Sequence, residues 1–336
     1  MSGGNELLRV TRAAQAAWAA GEAAVLATVI RVGGSTYRRP GARMLLTEAG
    51  WAAGSISGGC LEGDVLKKAW WRTESGPVRM VYDSTQEDDD ITWGFGLGCN
   101  GVVEVLLERL TETTVAHLAR LEQWQTEQRP GVLATTGTGE RLALAADGAH
   151  WGAPELLPGA QEALQTQKSL WHEETFFEYL TPPQALVIFG AGHDVVPLVK
   201  LASELLGWHT VVVDSHAAQP HPERFPGARV VLDYPLETLG PRDAAVLMTH
   251  SYTADQALLP ALLAASVGYV GVLGPRRRTE RLLEGEAFPA RLHAPLGLDL
   301  GADNPEEIAL AIVAEIRAWS AGRDGRSLSV REGPIH

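Results

Sequence analysis

Apolar residues recur at helical spacing over residues 5–20, in an alanine-rich run that Gly21 stops, so an amphipathic helix is expected to open the chain. Residues 23–32 read as a strand. The turn-rich Gly33-Gly34-Ser35-Thr36 and the Arg38-Arg39-Pro40-Gly41 corner lead to a second strand near residues 42–47, and Gly50 marks another hairpin. Over residues 60–72, Leu61, Val65, Leu66 and Ala69 share one helical face while Glu62 and Asp64 enrich the first turn, so Cys60 is predicted to begin a helix. A strand over 78–82 leads into an acidic loop, residues 83–90, that continues to Cys99, and an apolar strand resumes over 101–107. A helix from 111 to about 128 and short strands near 132–136 and 142–145 complete an α+β region, expected to hold a mixed sheet. No internal repeat is apparent.

The pattern changes at Thr181-Pro182-Pro183, because two consecutive prolines fit neither a helix interior nor a central strand. Beyond it, apolar strands at 185–189, 210–213, 229–232, 244–248 and 269–273 alternate with helical stretches, which predicts a parallel sheet covered on both faces. A last helix over 305–319 has Asp303 or Asn304 as its cap, Pro305 at its first position and Glu306-Glu307 at the positive end of its dipole. The expected fold class is α/β, with an N-terminal α+β domain over 1–180 and a C-terminal Rossmann-like parallel-sheet domain over 184–325.

Composition narrows the function classes. At 336 residues, 45% hydrophobic and 21% charged, the chain is long enough for two packed cores and has no disordered bias. A net charge of −13 disfavours nucleic acid, and Arg276-Arg277-Arg278 is the one tight basic run. Apolar runs are too short to span a membrane. Two cysteines cannot form a disulfide framework and no charged, apolar leader opens the chain, so free thiols in a reducing cytoplasm are expected.

Two places carry candidate chemistry. A strand at 186–189 runs into Gly190-Ala191-Gly192 and a helical pattern, and Asp214 ends the next strand; Rossmann units hold a pyrophosphate and ribose hydroxyls in this arrangement. Val195 replaces the third glycine of the full fingerprint. The turn therefore reads either as a nucleotide site, NAD(P) included, or as tight geometry alone, and His193 as a ligand contact or a backbone-bonded helix-start residue.

The cysteines sit in glycine collars, Ser57-Gly58-Gly59-Cys60 and Gly96-Leu97-Gly98-Cys99, where backbone can approach a ligand closely. A thiolate at a helix start gains from the dipole, against which Glu62 and Asp64 act, and it suits a soft partner such as sulfur or a thiophilic metal. The alternative is two inert thiols near turns. Zinc is a poor explanation, since two cysteines lack accompanying histidines at ligand spacing. Arg38, Arg39 and Arg43 surround Gly41 as a clamp for an anion or as solvated charges.

Read together, Gly41-Ala42-Arg43-Met44, the run from Gly54 through Gly58-Gly59-Cys60 to Glu62, Gly96-Leu97-Gly98-Cys99, Phe189-Gly190-Ala191-Gly192-His193, Leu273-Gly274-Pro275-Arg276-Arg277-Arg278 and Gly297-Leu298-Asp299-Leu300-Gly301 resemble the xanthine dehydrogenase accessory family, XdhC/CoxI. The resemblance spans nearly the whole chain. It implies an XdhC/CoxI-type domain followed by a Rossmann domain, in a protein that binds molybdenum cofactor (molybdopterin), assists its sulfuration and delivers it to a molybdenum hydroxylase such as xanthine dehydrogenase. It makes Cys60 and Cys99 candidate holders of the cofactor and its metal, with Gly58 and Gly59 admitting the pterin and Arg43 neutralising its phosphate. Gly190, Gly192, His193 and Asp214 are the candidates for a nucleotide such as NAD(P). The implied partners are a hydroxylase client, a cysteine desulfurase and a second copy of the chain. The rival is an NAD(P)-dependent oxidoreductase using the C-terminal domain; a third reading is a structural adaptor.

Overall fold

The computed structural model describes residues 4–34, 36–83, 101–215 and 217–331. The chain divides into two compact units, residues 1–182 and 183–336.

In the first unit, α1 (Gly4–Ala19), β1 (Ala24–Gly34), β2 (Arg43–Thr47), β3 (Gly50–Gly54), α2 (Glu62–Arg72), β4 (Val78–Asp83) and β5 (Gly101–Arg109) make one half. The other half is α3 (Glu112–Thr126), β6 (Gly131–Thr136), β7 (Arg141–Ala145), β8 (His150–Gly152), α4 (Leu157–Thr166), β9 (Leu170–His172) and β10 (Thr175–Leu180). The two halves have the same element order, and their sheets run β3-β2-β1-β5-β4 and β8-β7-β6-β10-β9, one order used twice. Every pairing in both sheets is antiparallel, so the expected single mixed sheet is corrected to two antiparallel ones. Hairpin-length connections favour that outcome, since parallel neighbours need a long crossover.

The repeat extends to side chains. Arg43 on β2 pairs with Glu178 on β10, and Arg141 on β7 pairs with Glu108 on β5, so each half offers an arginine to the other half's glutamate. Each arginine also donates to the carbonyl two residues before it, Gly41 O at 2.8 Å and Gly139 O at 3.2 Å. Gly54 and Gly152 both adopt positive φ, and a Cβ on either would strike the carbonyl oxygen of Arg43 or Arg141. The sequence does carry this repeat: Gly41, Arg43, Leu46, Gly50 and Gly54 recur at the same intervals as Gly139, Arg141, Leu144, Gly148 and Gly152. The duplication is missed on reading because the two copies share few other residues, and the glutamates that complete the pattern lie far along the chain.

Strand alternation splits the core. Ala24 and Leu26 face a shared layer with α1 and α3, where Val10 and Ala14 meet Leu118 and Leu121, and Arg12 Nε lies 2.8 Å from Glu122. Val25, Ala27 and Val29 face α2 through Val65 and Ala69; Val132, Ala134 and Phe177 face α4 through Ala160 and Ala163.

In the second unit, β11 (Ala185–Phe189), α5 (Val195–Val199), β12 (His209–Val213), β13 (Arg229–Val231), β14 (Ala244–Leu247), α6 (Tyr252–Ala264), β15 (Tyr269–Val272), α7 (Arg276–Leu282), β16 (Leu292–His293) and α8 (Pro305–Ser320) follow in order, with a π-helical turn over Lys200–Leu205. The sheet is wholly parallel, β13-β12-β11-β14-β15-β16. Leu198, Ile312 and Ile316 cover one face and Leu259, Leu262 and Leu282 the other, as the apolar runs predict. Asn304 is the cap of α8, its Oδ1 accepting from Glu307 N at 2.9 Å. No helix among the described residues is long and apolar enough to cross a membrane.

Candidate functional site

The loop between β3 and α2 is folded around one carboxylate. Glu62, the first residue of α2, accepts from Ser55 Oγ and Ser57 N at 2.8 Å, from Ile56 N and Gly59 N at 3.1 Å, and from the Ser57 hydroxyl. Three backbone N–H groups and two hydroxyls thus converge on a side chain of the chain itself, as they would on a bound anion. Burial opposes the carboxylate's charge, but the hydrogen bonds from Ser57 and Ser55 outweigh it and hold Glu62 below the usual carboxylate range. Gly59 has φ +114°, with nothing within 4 Å of where a Cβ would stand, so backbone conformation and not space requires glycine there.

This loop walls an open cleft, about 380 Å³ when the solvent at its mouth is included, whose lining includes Tyr37, Arg38, Ile56, Cys60, Leu61 and Tyr82. Cys60 is exposed and free. It lies in the turn before α2, whose cap is Leu61, so the helix begins two residues later than expected. Gly58 sits under the ring of Tyr37, 3.4 Å from where a Cβ would be. Tyr82 is buried and donates to Asp64 Oδ2 at 3.0 Å; burial and then that carboxylate push its hydroxyl pKa well up, so it stays protonated. Cys99 lies outside the described residues.

The arginines separate. Arg38 lines the cleft and is ion-paired with Glu6, whereas Arg39 is exposed. Arg43, expected to meet a phosphate, is instead buried with its guanidinium on Glu178 at 2.5 Å and on Gly41 O. A guanidinium taken up bidentately by a buried carboxylate has no fork left for a ligand. The signal for this was the repeated Gly-x-Arg.

In the second unit Gly190 follows β11 with φ +128°, its N–H donating to Val213 O at 3.0 Å, and a Cβ on it would strike Met248 O. Val195, in the third glycine's place, is buried in the core. His193 is exposed and forms no side-chain hydrogen bond among the described residues; Asp214, half-buried, follows β12. A pair that sequence reading missed stands beside the turn: His250 Nε2 lies 2.9 Å from Asp194 Oδ2. Among the described residues no three His, Cys, Asp or Glu side chains are grouped to hold a metal.

The profile of the XdhC and CoxI family matches residues 17–83, and that of the XdhC Rossmann domain matches residues 186–316. A Bacillus subtilis (strain 168) protein, described as part of a probable xanthine dehydrogenase, is 34% identical over 308 residues, covering 88% of this chain and 92% of that protein. The chain belongs to the XdhC and CoxI family. A further relative, the Escherichia coli (strain K12) "Molybdenum cofactor insertion chaperone PaoD", is 26% identical over 318 residues, covering 91% of this chain and 86% of its own length. A solved structure described as a xanthine dehydrogenase from Bacillus halodurans superposes with a TM-score of 0.74 at 32% identity, over 96% of this chain and 98% of that one. These relatives match the chain through both units.

Proposed function

We propose that this XdhC-family chain is an accessory protein for a molybdenum hydroxylase: it holds molybdenum cofactor in the cleft beside Cys60, assists its sulfuration and delivers it to a client such as xanthine dehydrogenase. The observation that carries the reading is an exposed thiol on a preorganised, glycine-framed loop at the wall of a cleft. Bound there, the cofactor would supply a soft metal and sulfur centre together with a planar pterin. The residues fit those parts unequally. Cys60 offers a soft donor, Tyr37 an aromatic face, and Gly59 open space. The anion cradle of the loop is filled by Glu62, and Arg43 by Glu178, so the phosphate falls to Arg38 at the cleft wall. Cys99 remains a proposed second thiol, and a cysteine desulfurase and a second copy of this chain are proposed partners.

The test is molybdenum and pterin analysis of the full chain co-expressed with its presumptive client. Retention by the parent that is lost in Cys60→Ala supports the reading; equal retention, or none in either, removes it. The oxidoreductase alternative has Asp214 and the Gly190 turn on its side, and the carboxylate of Asp194 against it.

A further inference from the structure

Arg38 is the one charged side chain among the described residues that line the cleft beside Cys60. The charge preference of that cleft is therefore set by Arg38 and by whatever neutralises it. The acids nearby are otherwise engaged: Glu62 is enclosed by its own loop, and Asp64 holds Lys68 at 2.8 Å and the hydroxyl of Tyr82 at 3.0 Å. What remains is Glu6, ion-paired with Arg38.

This pair differs from the two clasps between the halves. Arg43 and Arg141 are buried, and each spends both ends of its guanidinium on a glutamate and a further hydrogen bond on a carbonyl. Arg38 gives Glu6 only Nη2, which leaves Nε and Nη1 without a protein acceptor among the described residues. Its side chain is 24% exposed against 19% for Glu6, so the pair is shielded but within reach from the cleft. An anion that enters can meet the open edge of the guanidinium, and it does so with the Glu6 carboxylate on the other side.

Glu6 is well placed to stay there. It stands in the first turn of α1, where the helix dipole favours a carboxylate, and the next turn of that helix is anchored by Leu7 and Val10 in the core. A carboxylate tethered in this way competes for the arginine at high effective concentration. Two like charges a few ångströms apart in partly shielded surroundings also repel more strongly than in open water.

We propose that Glu6 is a specificity-determining residue of the Cys60 cleft: as the resident counter-ion of Arg38 it weakens the grip of the cleft on the anionic part of a ligand, so that an anion is held and then released. A carrier that hands its cargo on needs such release, because differences in affinity are mostly differences in dissociation rate. For the natural anion, the phosphate of the cofactor, the inference rests on the reading proposed above, while the charge relation between Glu6 and Arg38 is testable without it.

The test compares alkylation of Cys60 in the full chain by iodoacetate, an anion, and by iodoacetamide, its neutral counterpart, followed on the Cys60 peptide by mass spectrometry. With either reagent the thiolate sulfur forms a bond to the methylene carbon and iodide leaves. The ratio of the two rates therefore cancels the ionisation of the thiol and access to it, and reports the charge of the cleft. At about 10 mM salt, Glu6→Gln raises the iodoacetate-to-iodoacetamide ratio about threefold, the effect of one unit charge about 6 Å away in a water-like medium. Arg38→Gln lowers it about threefold, and the double variant returns to the parent value. At about 1 M salt these differences close. A loosened α1 speeds both reagents together and leaves the ratio alone, so a folding defect is not mistaken for a charge effect. A ratio unchanged in both single variants, a shift in Glu6→Gln in the same direction as in Arg38→Gln, or differences that persist at high salt would each overturn the proposal. Ratios that move as expected in a parent that retains no molybdenum would remove the cofactor reading and not this one; unchanged ratios in a parent that retains molybdenum would do the reverse.

Discussion

The two halves of the first unit share one scaffold and differ at one end. Both have the helix, three-strand meander, helix and two-strand order, the Gly-x-Arg turn and a buried arginine on the other half's glutamate. In the second half, β8 passes to α4 through residues 153–156, and β9 to β10 through Glu173 and Glu174, both with positive φ, as a two-residue hairpin requires. In the first half the same connections are residues 55–61, wrapped around Glu62, and residues 84–100, which contain Cys99. What the halves share holds the unit together, and what they do not share carries the candidate chemistry.

Several measurements would break or sharpen that comparison. The largest effect is expected at the shared clasp: Arg43→Ala and Arg141→Ala should each cost about 3–5 kcal/mol in urea unfolding, since each strands a buried carboxylate. If one costs less than about 1 kcal/mol, the halves are not mechanically equivalent. At the unshared end, Glu62→Ala should cost about 2 kcal/mol by leaving the loop's N–H groups without their charged acceptor. Glu155→Ala, exposed in the corresponding connection of the second half, should stay within about 0.5 kcal/mol.

The pH dependence of Glu62 follows from its lowered pKa. A carboxyl whose folded value lies below its unfolded one stabilises fully above the unfolded value, and that contribution disappears as pH falls through the folded value. The stability gap between the parent and Glu62→Gln is therefore expected to be constant near neutral pH and to close below the usual carboxylate range, about pH 4. A gap that persists unchanged at lower pH would mean that shape, not charge, organises the loop. The smallest structural effect is expected at Cys60→Ala, under about 0.5 kcal/mol for an exposed side chain, although the proposed cofactor retention is lost with it. A large drop in stability would assign Cys60 to packing.

Local signals were legible wherever a few neighbouring residues decide the outcome. The run at Leu186 to Phe189, the Gly190 turn, the short apolar strand before Asp214 and the Asn304-Pro305 start of α8 are readable because periodicity, caps and turn residues act within a turn or two of chain. The glycines around Cys60 were equally visible, but what they surround was not. Glu62 reads as one more acid in a first helical turn until the loop is seen folded back on it, and His250 is one histidine among ten until β14 is set beside β11.

The sequence by itself determined the alternation that builds the parallel sheet, the α/β class and the glycine-framed thiol, because these depend on residues adjacent in the chain. Only the tertiary structure decided that Arg43 faces Glu178, 135 residues away, and that Asp194 meets His250 across 56. It also showed that the Gly-x-Arg repeat carried by the sequence marks one motif used twice. A buried charge takes whichever partner the packing brings within hydrogen-bond reach, and that choice is made by strands meeting across a core and not by spacing along the chain.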